Sequence, residues 1–109
     1  MKTHWTFVCP LERLQPERGA AALIGSIQIA LIRTYDGVIF AVDNRDPFAG
    51  AQVMSRGIVG SRGDAPTITS PLHKQVYDLR TGECLDVPGI TLPTYPVRCT
   101  DGLVEVAVS

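Results

Sequence analysis

The sequence predicts an all-β fold, an antiparallel β-sandwich or partly open barrel with two loops gathered at one end. Three observations predict it. Apolar residues recur at period two along most of the chain, turn formers interrupt them at short intervals, and no stretch keeps helical periodicity for three turns. At 109 residues the chain is expected to form a single domain over 1–109, large enough for a core that needs neither metal nor disulfide. No repeat, linker or second domain is visible.

The elements follow in order. His4–Cys9 (HWTFVC) alternates as a first strand and ends at Pro10; Leu11–Gly19 reads as a loop or a single helical turn. Ala20–Ile24 and Ile27–Thr34 are two strands joined by Gly25-Ser26, and Asp36-Gly37 turns the chain into Val38–Asp43. These four segments are expected to form a meander. From Asn44 to Pro66 glycine and proline displace the regular pattern, so a long loop region is expected. Such loops inside a compact domain are usually functional or disordered, and Phe48, Val53, Met54, Ile58 and Val59 argue against disorder. Gln75–Leu79 and Glu83–Val87 then flank the Arg80-Thr81-Gly82 turn, and Tyr95–Cys99 and Leu103–Val108 flank Thr100-Asp101-Gly102.

Charge narrows the function classes. A net charge of −1 from 10 basic and 11 acidic residues, with no block of one sign, leaves no electrostatic footprint for nucleic acid or an anionic membrane. No apolar run approaches the roughly 20 residues of a membrane span. The opening MKTHWTFVCPLERLQ lacks a secretion signal's apolar segment and cleavage site; a cytoplasmic location is expected. Cys9, Cys84 and Cys99 are odd in number, far apart and never in a C-x-x-C pair. They are expected to be reduced and largely buried thiols, rather than a zinc site recruiting His73 or His4. Trp5, opening the first strand, is expected to anchor the core or its edge.

Two boxes carry the chemistry, NRDPFAGA from Asn44 and SPLHKQVYDLRTGE from Ser70. A Rieske centre holds two irons with one Cys and one His from each of two loops, spaced C-x-H and then C-x-x-H. By position Asp46 and Phe48 stand where the first Cys and His would be, and Ser70 and His73 where the second pair would be. Phe48 has no donor atom, the Ser70 hydroxyl is too weakly acidic to replace a thiolate, and Asp46 offers hard oxygen where soft sulfur is required. His73 alone cannot retain a cluster, because affinity depends on several deprotonated ligands converging. A bound [2Fe-2S] cluster is therefore not expected, and Phe48 is the natural apolar filler of the vacated space. Asp46, Ser70 and His73 are also the residue types of a nucleophile triad. The chain has no G-x-S-x-G elbow, however, and Ser70 precedes Pro71.

The segments WTFVC, IALIRTYDGVIFAVDNRDPFAGAQVMSRGIVG, SPLHKQVYDLRTGECL and YPVRCTDGLVEVAV together span nearly the whole chain. They resemble the small subunits of bacterial NADH-dependent assimilatory nitrite reductases, a Rieske-like family whose members lack the cluster ligands. DNRDPF, SRGIVG and SPLHKQ carry the specific likeness, whereas YDLRTGE fits any Rieske-type protein. The resemblance implies a Rieske-like fold and a large-subunit partner bearing FAD, an iron–sulfur cluster and siroheme, which passes electrons from NADH to nitrite and releases ammonium. This chain would hold no cofactor of its own; it has no dinucleotide fingerprint and no haem attachment motif. Its expected role is docking, through a tip presenting Phe48, Arg56, His73 and Lys74, with Arg45 and Arg62 as further charges around the boxes. The alternative is a Rieske-type ferredoxin carrying electrons at an unusual metal site.

Overall fold

The computed structural model describes residues 4–108. Its strands are β1 (Thr6–Pro10), β2 (Arg18–Ile24), β3 (Ile27–Arg33), β4 (Ile39–Asp43), β5 (Ile58–Arg62), β6 (Ala65–Thr69), β7 (Val76–Asp78), β8 (Thr94–Tyr95), β9 (Val97–Thr100) and β10 (Leu103–Val106). Two single 3-10 turns, Leu11–Arg13 and Met54–Arg56, are the helical content of the described residues. No helix there is long and apolar enough to cross a membrane. Every strand pairing is antiparallel, in three sheets ordered β1-β10-β9, β2-β3-β4-β8 and β5-β6-β7. They do not close into a barrel.

The middle sheet organises the core because β3 is buried on both faces. Its run Ile29-Ala30-Leu31-Ile32 is solidly apolar where a half-exposed strand would alternate. Ile29 and Leu31 pack with Leu14, Ala41, Val104 and Val106 toward the terminal sheet. Ala30 and Ile32 pack with Val42, Met54, Ile68, Tyr77 and Leu79 toward the β5–β7 sheet. Each large side chain so buried contributes about 1.5 to 3 kcal/mol relative to exposure. The β2–β3 hairpin pairs in register from Arg18↔Arg33 to Ile24↔Ile27. The β9–β10 hairpin turns on Asp101 (φ 54°) and Gly102 (φ 76°), the two consecutive positive values that a tight two-residue turn demands.

Four expectations are corrected. The first strand does not join the meander: β1 pairs with β10, and the Leu11 N–H donates to the Gly102 carbonyl, carrying the chain away from β2. Alternation identifies a strand but not its partner. The region from Asn44 to Pro66 is only half loop, since it holds the Met54–Arg56 turn and the β5–β6 hairpin, in register from Ile58↔Thr69 to Arg62↔Ala65. Pro66 is tolerated in the central strand β6 because the β7 ladder begins one residue later, at Thr67. Glu83–Val87 makes only isolated bridges at Glu83 and Cys84. There Gly82 (φ 79°) lies so close to the Leu92 carbonyl oxygen that an added Cβ would sit 1.8 Å from it. The cysteines are free, but only Cys84 is buried; Cys9 is half-buried and Cys99 exposed. Trp5 is half-buried, with the Arg98 guanidinium carbon 4.5 Å from its ring centroid.

Candidate functional site

The chain leaves β4 and β6 at the same end of the molecule, and the two loops that follow are built alike. In the first, the Asp46 Oδ1 accepts the N–H groups of Phe48 (2.8 Å) and Ala49 (3.2 Å). The Asp46 carbonyl accepts the Gly50 N–H, and the Asp46 N–H donates to the Ala51 carbonyl, each at 2.8 Å. In the second, the Ser70 Oγ accepts the N–H groups of Leu72 (3.3 Å) and His73 (3.5 Å). The Ser70 carbonyl accepts the Lys74 N–H at 3.1 Å, and the Ser70 N–H donates to the Gln75 carbonyl at 2.9 Å. Both loops thus satisfy the backbone at the same offsets from a short polar residue followed by proline. Both reverse on a positive φ four residues on, at Gly50 (75°) and Lys74 (64°).

The side chains that begin these loops meet. Asp46 and Ser70 are fully buried, and the Ser70 hydroxyl donates to the Asp46 Oδ2. Burial alone would raise the Asp46 pKa, but the bonds from the Ser70 hydroxyl and the Phe48 and Ala49 N–H groups, with His73 nearby, outweigh it and hold the carboxyl below its ordinary range. Beneath lies Tyr77, fully buried, its hydroxyl without a hydrogen-bond partner and its pKa pushed up by burial and then by the charge of Asp46. Above, the Phe48 and His73 rings lie 6.3 Å apart between centroids, tilted by 50°. Phe48 is 42% exposed and Leu72 52% exposed.

The two loops therefore bring Asp46, Phe48, Ser70 and His73 together at one tip. Asp46 has spent both oxygens and Ser70 its hydroxyl on each other and on backbone; Phe48 has nothing to give. The residues present do not fit a [2Fe-2S] cluster. Among the described residues no group of three or more His, Cys, Asp or Glu could hold a metal ion, and Cys84 packs in the core cluster around β3, away from Cys9 and Cys99 on the terminal sheet. Nor is this a nucleophile triad. The Asp46 carboxylate takes the serine hydroxyl directly, and His73 reaches Ser70 only through its backbone N–H. Phe48 is not the buried filler the sequence led us to expect; the Asp46–Ser70 bond joins the loops, leaving the ring at the surface.

The charged residues fall in two groups. Lys74 lies exposed in the second loop. Arg45 opens the first, its guanidinium against Gly50, where an added Cβ would lie 3.5 Å from Nη2. Arg56 is exposed on the 3-10 turn that Asn44 holds through its carbonyl (Met54 N–H, 2.9 Å) and its Oδ1 (Ser55 N–H, 2.7 Å). The next residue, Gly57, abuts the Thr69 carbonyl at the foot of the second loop. Arg62 is apart from these, paired with Asp86 at 3.1 Å. Sequence reading missed Leu72 and the Asp46–Ser70 bond. The repeated polar-residue-then-proline opening, DP and SP, was the available signal for the bond.

Residues 4–107 match the family described as the Rieske-like [2Fe-2S] domain. A crystal structure from Mycobacterium tuberculosis, described as an NADH-dependent nitrite reductase small subunit, superposes with a TM-score of 0.95 at 45% identity, covering 100% of this chain and 98% of that one. The nitrite reductase (NADH) small subunit of Escherichia coli K12 is 33% identical over 105 residues, 95% of this chain and 97% of that protein. A nitrite reductase [NAD(P)H] large subunit from Klebsiella oxytoca contains a segment 38% identical over 102 residues, 94% of this chain but 11% of that protein.

Proposed function

The chain belongs to the Rieske-like [2Fe-2S] domain family and, within it, to the small subunits of NADH nitrite reductase, and from that membership we propose that it is a non-catalytic, single-domain docking subunit. Its partner is a large subunit that carries FAD, an iron–sulfur cluster and siroheme and reduces nitrite to ammonium with electrons from NADH, in the cytoplasm. The observation that carries this reading is the Asp46–Ser70 bond. It holds two former ligand loops in place with protein groups alone and turns Phe48, Leu72, His73 and Lys74 outward. A surface through which a cluster-bearing relative would meet its redox partner is kept; the donors for electron transfer are not. The Klebsiella protein adds support, because there a segment like this chain is part of a large-subunit polypeptide.

A ferredoxin-like carrier would need ligands that Phe48, Ser70 and Asp46 do not supply. The test is co-purification or calorimetry of the chain with the large subunit, alongside NADH-dependent nitrite consumption by the mixture. The wild-type chain should bind. His73→Ala with Lys74→Ala should weaken the complex while leaving the subunit folded, since truncating central interface residues often costs about 2 kcal/mol or more. Absence of wild-type binding would remove the assignment; full binding by the folded double variant would put the interface elsewhere.

A further inference from the structure

The tip carries an excess of exposed positive charge, with the half-buried Asp43 ending β4 beside Arg45. Within 44–57 and 70–75 the only acidic residue is Asp46, which is buried beneath the surface, whereas Arg45, Arg56 and Lys74 are exposed. Among the described residues Arg62, Arg80 and Arg98 are each held by a carboxylate, and these three are not. The other end is mixed: Glu17, Asp36 and Asp64 line one open depression between the β3–β4 and β5–β6 turns, and the strand register brings Arg18, Arg33 and Arg62 to the same end. Strands β4 and β6 run from those turns to the two tip loops, five residues each, so the ends lie at least about 13 Å apart. That exceeds the screening length of about 8 Å at physiological salt, so the tip presents its positive charge despite a net charge of −1.

We propose that the tip recognises an acidic surface, a carboxylate rim around an apolar recess, on the large subunit. This deepens the docking reading above and rests on it. The arrangement fits such a partner in both parts: Phe48 and Leu72 supply exposed apolar area at the centre, and the three cations flank it without internal partners to give up. A like-charged partner face would be repelled, and a neutral one would leave the unpaired cations without a role.

The experiment measures association of the intact chain with the intact large subunit at about 50 mM and about 500 mM salt. Charge steering can raise association rates by 10-fold to 1,000-fold and is lost as salt rises. Wild-type binding should therefore weaken at least about tenfold between the two conditions. Arg56→Glu with Lys74→Glu should reduce it at least about tenfold at low salt and much less at high salt; Arg56→Gln with Lys74→Gln should fall between. Ser61→Glu, exposed on β5 beside the β5–β6 turn at the far end, should bind as wild type. Wild-type binding indifferent to salt, or a folded charge-reversed variant that binds normally, overturns the acidic-partner proposal and leaves docking intact. No wild-type binding overturns both. Salt-sensitive oligomers of the chain alone would mean that the tip meets a second copy, which also overturns it.

Discussion

Ser70→Ala is a small change at a place where little can compensate. Ser70 and Asp46 are both fully buried, so removing the hydroxyl leaves a carboxylate oxygen without a donor and without water to replace it. A hydrogen bond to a charged group contributes about 1.5 to 3 kcal/mol. The bonds that Ser70 Oγ accepts from Leu72 and His73 are long, 3.3 and 3.5 Å, and add little. The variant should lose about 2 kcal/mol, which in a domain of this size lowers Tm by roughly 8 °C or more. Asp46→Ala removes three donated bonds at once, from Ser70, Phe48 and Ala49, and should cost about 3 to 5 kcal/mol. Urea unfolding followed by circular dichroism reads both. The pH dependence has a definite sign. Because the folded state holds the Asp46 pKa below its ordinary value, the stabilisation is fully present above the unfolded-state pKa of about 3.9 and is lost as pH falls through the lower folded value. In Ser70→Ala that acid loss should shrink. A Ser70→Ala variant within about 0.5 kcal/mol of wild type would mean that the bond does not hold the loops together.

Phe48→Ala should leave the unfolding midpoint within about 1 kcal/mol of wild type, because the ring is 42% exposed, while weakening large-subunit binding by about 2 kcal/mol or more; a destabilisation of 3 kcal/mol would put the ring in the core. Wild-type protein from iron-replete expression should contain no stoichiometric iron and no visible absorption, whereas Asp46→Cys with Phe48→His and Ser70→Cys restores the two-Cys, two-His donor set on loops already in place and should retain about two irons per chain. Elemental analysis and an absorption spectrum decide both, and two irons in the wild type would defeat the docking-subunit reading.

What was legible in the sequence divides along physical lines. The β2–β4 meander and the β9–β10 hairpin were readable because their determinants are local, an apolar pattern with a glycine-bearing turn between. The β1–β10 pairing was not, since it joins the two ends of the chain and nothing in HWTFVC names its partner. The β5–β6 hairpin was hidden by Gly60 and Pro66, residues that ordinarily argue against a strand and are accommodated here by exposure and by the end of the β7 ladder. At the tip the ligand arithmetic could be done from Asp46, Phe48, Ser70 and His73 alone. The direction of Phe48 could not, because it depends on a bond between side chains 24 positions apart.

The central claim is that the two former ligand loops are the docking surface. Hydrogen–deuterium exchange of the chain, free and saturated with the large subunit, tests it most directly. The account predicts slowed exchange confined to backbone amides within 44–57 and 70–75, with the β1 and β9 edges and the β3–β4 turn unchanged. Protection on those edges or that turn, with the tip exchanging as fast bound as free, would contradict it.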